Sequence, residues 1–218
     1  MRRFLQLCVT TYVFLAVSEL SEASVFDRLN PQDIQGPLDD YLAVTDIAMV
    51  TEAKLTELKY RAAFALDDLK ATGELESIYK KLLTSRAVSD QQYDFYQLRH
   101  DLANIEVGRA KTAVEEFAAL KDILNLREGW ERLGQPNDGK LLQAKYILLW
   151  EKRCSIRTME YSKADKTYVY AKKQYDRGIR LHGRNAVTRE EVVELEIKLK
   201  AAENDLKARY DLTTECTK

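Results

Sequence analysis

Residues 161–206 read YSKADKTYVYAKKQYDRGIRLHGRNAVTREEVVELEIKLKAAENDL. On the first arm Tyr161, Ala164, Tyr168, Ala171, Tyr175 and Gly178 recur in steps of three and four. On the second arm Val192, Leu195, Leu199, Ala202 and Leu206 do the same. Residues so spaced stay on one side of a 3.6-residue helix, which is the pattern of a coiled-coil seam. Between the arms, Gly183 is expected as a left-handed residue ending one helix. Thr188, with Glu191 three positions on, forms the capping-box signature that starts the next. The stretch predicts two antiparallel helices joined by a tight turn.

A similar hairpin is expected upstream. Pro37 suits a first helical turn, and from Leu38 to Arg86 the pattern is helical, with Leu55, Leu58, Ala62, Ala65 and Leu69 as its seam. Gly73 marks an expected kink or heptad shift, after which Leu75, Ile78 and Leu82 resume the stripe. The chain turns at Arg86–Val88, and Ser89 with Gln92 caps the return helix. Its seam is Leu98, Leu102, Ile105, Ala113, Phe117, Leu120 and Leu124, with a stutter expected near Gly108 where Arg109 interrupts it. Gly134-Gln135-Pro136-Asn137-Asp138-Gly139 is the strongest loop signal in the chain. Beyond it the apolar run Leu141–Trp150 overhangs its own hairpin and needs cover from the base of the first one, near Trp130, or from another subunit. Superposing the turns reveals a repeat: Leu82 precedes Ser89 by as many residues as Leu181 precedes Thr188, and Ala-Val stands before each hydroxyl. The predicted fold is all-α, with one hairpin over 37–133, a loop at 134–139 and a second hairpin over 140–218. Residues 211–218 are expected to fray.

Few glycines and prolines, with nearly a third of the residues charged, fit long helices with solvated faces. The near-zero net charge hides an asymmetry: residues 30–128 carry roughly −6 and residues 140–189 roughly +9, so the two hairpins should attract. Tyrosines interleaved with Lys and Arg in the basic half could suit nucleic acid, but the N-terminus argues for export and no nucleic acid is expected. Arg2 and Arg3 precede the apolar run Phe4–Val17, and Ser21-Glu22-Ala23 supplies small residues for cleavage before Ser24. The expected product is periplasmic or otherwise secreted, touching a membrane only through the leader if it is retained. Cys8 lies inside the leader. Cys154 and Cys216 lie equally far from the turn on the inward stripes, where a disulfide could close the hairpin at its base.

The turn residues resemble the α-helical hairpin tips of periplasmic membrane fusion proteins, the adaptors of tripartite efflux and type I secretion systems. That family's tip carries an arginine, a leucine four residues on and a serine seven further, and Arg177, Leu181 and Thr188 stand at those spacings. In the first hairpin Leu82 and Ser89 fit, while Ile78 occupies the arginine position. The resemblance covers the hairpins alone, since nothing here looks like the family's lipoyl and β-barrel strands. It implies docking of the turns on helical envelope proteins such as an outer-membrane channel. From the pattern, Arg177 and Leu181 lie beside the seam and are expected to face solvent, a cation and an apolar neighbour one turn apart.

No catalytic chemistry is legible. His100 and His182 lack the carboxylates at helical spacing that a di-metal bundle site requires. Asp67-Asp68, Glu115-Glu116 and Glu190-Glu191 are sequence neighbours and diverge on a helix. No phosphate loop, nucleophile elbow or CxxC occurs, and no cofactor, metal or small-molecule substrate is expected. The expected function is non-enzymatic docking in an envelope transport complex. The alternative is a structural or oligomerising coiled coil of the envelope, pairing with itself.

Overall fold

The computed structural model describes residues 52–133 and 139–216. The leader at 1–23, the lead-in at 24–36, the helix start at Pro37 and residues 134–138 of the loop lie outside them. Among the described residues the elements are helices and no strand occurs: α1 (Glu52–Thr84), α2 (Asp90–Leu133), α3 (Gly139–His182) and α4 (Arg189–Thr214). The ends facing the two turns fall within a few residues of where turn and cap residues place them, Thr84 and Asp90 on one side and His182 and Arg189 on the other. The tail differs, because α4 continues to Thr214 where fraying was expected from Asp211.

Each helix packs along the next, α1 on α2, α2 on α3 and α3 on α4. The chain therefore makes an antiparallel row with α1 and α4 at its edges. The two hairpins do not merely meet at a base, since α2 and α3 pair along their length. Cross-helix contacts set the register. Between α1 and α2, Tyr79 stacks on Tyr96 with ring centroids 3.7 Å apart, and Glu52 pairs with Lys121. Between α2 and α3, Asp94 meets Lys173 at one end and Asp122 meets Lys145 at the other. Between α3 and α4, Gly178 faces Leu195, and Tyr161 lies 6.0 Å from Tyr210.

The core is narrow and built from small residues. Ala65 of α1 and Val107 and Ala110 of α2 form one buried cluster, flanked by Ala62 and Leu69. Ala164, Val192 and Ala202 are buried in the α3–α4 seam. The overhanging run finds its cover on the first hairpin's base: Tyr146 and Leu149 are buried, level with Ala119, Leu120 and Ile123 of α2. Leu149 and Ile123 are the largest fully enclosed side chains. The side chain of Trp130 lies outside the described residues. On α2 the buried apolar residues are Ala103, Val107, Ala110, Ala119, Leu120 and Ile123; of the expected seam Leu120 is among them, whereas Leu98, Leu102, Ile105, Ala113, Phe117 and Leu124 are half-buried. The reason is geometric: α2 lies between two helices, and small residues occupy the lines of closest approach.

The helices run unbroken through Gly73 and Gly108. Beyond Gly73 the seam does not resume on Ile78, which is 50% exposed; Glu76 and Tyr79 meet α2 instead, through Tyr93 and Tyr96. Each glycine leaves room for a neighbour's side chain. A Cβ on Gly73 would lie 3.2 Å from His100 Cε1, and one on Gly108 would lie 3.2 Å from Met159 Sδ. Arg109, which seemed to interrupt the seam, belongs to a second face turned toward Glu160 of α3. Gly178 is tightest, with a Cβ only 2.6 Å from Leu195 Cδ1. At the foot of the α3–α4 hairpin, Cys154 and Cys216 form the expected disulfide, with a Cα–Cα distance of 5.6 Å. Arg157 donates to the Leu212 carbonyl at 3.2 Å and pairs with Glu215 at 2.8 Å, holding the end of α4 beside it.

Gly178→Val is expected to lower stability by about 1–3 kcal/mol through overpacking against Leu195, seen as a lower urea midpoint at unchanged m-value. Replacing both Cys154 and Cys216 by Ser removes a cross-link spanning 62 residues, about 4 kcal/mol in the chain-entropy model. Mass spectrometry of the protein prepared without reductant should find this bond, and two free thiols would refute it.

Candidate docking surface

Because α2 and α3 are antiparallel, the start of α2 lies beside the end of α3, and both helical turns fall at the same end of the row. They have the same construction. In the first, the Ala87 amide donates to the Leu82 carbonyl at 2.8 Å and the Arg86 amide to Leu83 at 2.9 Å. In the second, Ala186 donates to Leu181 at 2.9 Å and Asn185 to His182 at 2.9 Å. This pair of bonds, reaching back five and three residues, is the Schellman ending, which needs one left-handed residue. Arg86 (φ 58°) and Asn185 (φ 55°) supply it. The expectation for Gly183 is thereby corrected: its amide still donates to Ile179 at 3.0 Å, as in a helix. Both following helices begin with reciprocal capping boxes. Gln92 N–H donates to Ser89 Oγ at 3.2 Å and Ser89 N–H to Gln92 Oε1 at 3.0 Å. Glu191 N–H donates to Thr188 Oγ1 at 3.2 Å and Thr188 N–H to Glu191 Oε2 at 2.7 Å.

The residues expected to dock are largely occupied by this architecture. Arg177 does not face solvent. Its guanidinium is mostly covered, 3.0 Å from the buried Asp94 carboxylate and 3.4 Å from Gln174 Oε1. Asp94, which also meets Lys173 at 2.5 Å, lies on the preceding hairpin, so no pattern within residues 161–206 could reveal it. Leu181 and Leu82 are half-buried and their carbonyls receive the turn amides, while Thr188 and Ser89 are exposed caps.

What the surface does present was missed in the sequence. Lys80, Lys81, Arg86, Arg180, Arg184 and Arg189 are exposed, and none has an ion-pair partner among the described residues. Along the shafts, by contrast, cations on α3 are matched to acids on α2. Lys152 meets Glu115 at 2.5 Å, Arg153 meets Glu116 at 3.0 Å, Lys163 meets Glu106 at 3.6 Å and Lys166 meets Asp101 at 3.1 Å. The signal was present as the roughly +9 charge of residues 140–189, but only the fold separates cations consumed by α2 from those left at the turns.

Two carboxyls in this seam respond oppositely to their surroundings. The Glu106 carboxyl is held below its ordinary value of 4.5, chiefly by the Arg109 hydrogen bond and then by Arg109 and Lys163 charge. Burial pushes Glu116 above that value, outweighing Arg153. Glu160 of α3 joins three helices, 2.8 Å from Arg209 of α4 and 3.8 Å from Arg109 of α2. Among the described residues no cluster of His, Cys, Asp and Glu could hold a metal ion. No helix there is long and apolar enough to cross a membrane.

Asp94→Asn should cost about 2–3 kcal/mol, because two cations lose a buried charged acceptor; denaturant titration measures it. Glu106, whose carboxyl is depressed, contributes stability that is present above the unfolded value and lost as pH falls through the folded one. The gap in urea midpoint between wild type and Glu106→Gln should therefore close on acidification below about pH 4.5. Glu116 has the opposite sign, favouring the fold when protonated, so Glu116→Gln should leave the midpoint at pH 7 nearly unchanged or raise it.

No protein-family model matches this chain, and no curated protein or solved structure matches it.

Proposed function

We propose that this chain is a non-enzymatic, exported coiled-coil protein that docks through its turn end onto helical partners of an envelope transport or efflux complex. One observation carries the reading: two reversals of the same construction stand at one end and carry exposed cations with no ion-pair partner among the described residues. A capped, Schellman-ended turn is rigid, so it can meet a partner with little ordering cost. The cations favour a partner whose helix ends or turns carry carboxylates, and arginine adds planar donors on an apolar stem. The resemblance to adaptor hairpins supports the transport setting, with Leu181, Thr188, Leu82 and Ser89 shaping the turns and Arg177 fixing one hairpin against the other. The leader supports a periplasmic or secreted location.

The test uses the immobilised full chain and envelope extract, with Arg86→Glu and Arg184→Glu combined as the variant. Wild type should retain a helical channel-type protein in a salt-sensitive manner, and the variant should bind about tenfold more weakly at unchanged helicity. Retention of no helical envelope protein defeats the transport reading. Equal retention by the variant moves the contact away from the turns.

A further inference from the structure

Among the described residues the row has two edges with no helix packed on them, α1 and α4, and their exposed faces complement each other. On α1, the stripe directly opposite the α2 contact is Tyr60, Phe64, Asp67, Ala71, Glu74 and Ile78, in steps of four and three. Phe64 is 76% exposed and Tyr60 74%. From this edge both also reach round to the flank of the α1–α2 pair, where they line an open groove of about 870 Å³ with Arg61, Ala65, Glu106 and Arg109. On α4, the stripe opposite the α3 contact is Val193, Ile197, Ala201, Asn204, Ala208 and Leu212. Ile197 is 62% exposed, and only Asn204 in this stripe is polar. The α4 stripe is apolar apart from Asn204, and the α1 stripe alternates large apolar residues with the carboxylates Asp67 and Glu74, so the two faces offer a seam of mixed apolar and charged contacts.

Levels along the row follow from contacts already described. Near the turns, Tyr79 of α1 meets Tyr96 of α2, Asp94 of α2 meets Lys173 and Arg177 of α3, and Gly178 of α3 faces Leu195 of α4. Ile78 and Ile197 flank this tier, one on each edge. Lower down, Phe64 shares its groove with Arg109, which meets Glu160, which meets Arg209. Phe64 thus lies level with the last turns of α4, where Leu212 points outward. The large apolar residues of the two edges fall at matching heights, with Asp67, Ala71 and Glu74 between them on α1 and Ala201, Asn204 and Ala208 on α4. The charges on the two edges are opposite in sign level by level. Lys81 beside the α1 stripe and Glu74 and Asp67 within it come level with Glu194, Lys200 and Lys207 of α4, all exposed, although Asp67 also meets Lys70 and Lys200 meets Glu196 on their own helices.

We infer that copies of this chain associate side by side in the same orientation, α1 of one against α4 of the next. The contact continues the antiparallel order of the row and pairs Ile78 with Ile197 and Phe64 with Leu212. It uses different surfaces on the two copies and is therefore heterologous, so association proceeds beyond a dimer unless the assembly closes. The turn end stays free, and the inference does not rest on the docking reading.

Sedimentation velocity of the full chain over a concentration series tests it. Wild type should self-associate, and the α1-edge variant (Phe64→Asp with Ile78→Asp) should be monomeric. The α4-edge variant (Ile197→Asp with Leu212→Asp) should be monomeric too, each with wild-type helicity by circular dichroism. Mixed in equal amounts, the two variants should form a one-to-one dimer and stop, because each retains one intact edge. The turn variant Arg86→Glu with Arg184→Glu should associate as wild type does. A monomeric wild type, an α4-edge variant that still associates, a mixture that stays monomeric, or loss of association in the turn variant would each overturn the inference.

Discussion

The organising constraint is the register of opposite charges between α2 and α3. From Asp94 with Lys173 and Arg177 to Asp122 with Lys145, acids on one helix meet bases on the other. Singly, such surface pairs contribute about 0–1 kcal/mol. Their value lies in phase, since a slip by one helical turn would bring unlike partners out of reach and leave Asp94 buried without its cations. Arg109 with Glu160 reverses the polarity midway, so a slipped pairing would also create like-charge contacts there.

That constraint matters because the apolar core alone is a weak determinant of alignment. Alanines and valine in the buried clusters, and glycines receiving His100, Met159 and Leu195, allow close approach but bury little area each. Only near the base do Leu149 and Ile123 give fully enclosed aliphatic side chains, each worth about 1.5–3 kcal/mol. The disulfide from Cys154 to Cys216 holds the opposite side of α3, fixing the last helix where its seam would otherwise open. Packing brings the helices together, charge aligns the middle pair and the covalent bond secures the final one.

Neutralising the shafts has a functional consequence. With the facing charges of α2 and α3 matched, the turn end, with its cations, and the outer stripes of α1 and α4 stand open among the described residues. These surfaces point in different directions, so contact along the edges and contact at the turns do not compete.

Much was legible in the chain because helix formation and capping are local. The three-and-four spacing located the seams of α3 and α4, and that of α1 as far as Leu69 though not at Ile78; Ser89 and Thr188 announced their caps, and equal distances from the turn placed Cys154 opposite Cys216. The seam of α2 was only partly legible, since a helix between two neighbours spreads its apolar residues around more of its circumference and blurs the period. Arg177 shows the limit most clearly. By spacing it is an exposed residue beside a seam, and it becomes covered because Asp94, on another hairpin, needs a cation. The sequence by itself determined the helices, their ends and the points of reversal, which depend on neighbours a few residues away. Only the tertiary structure decided which charges are consumed, which glycines admit a side chain and which faces remain open, because those outcomes depend on the level at which distant helices meet.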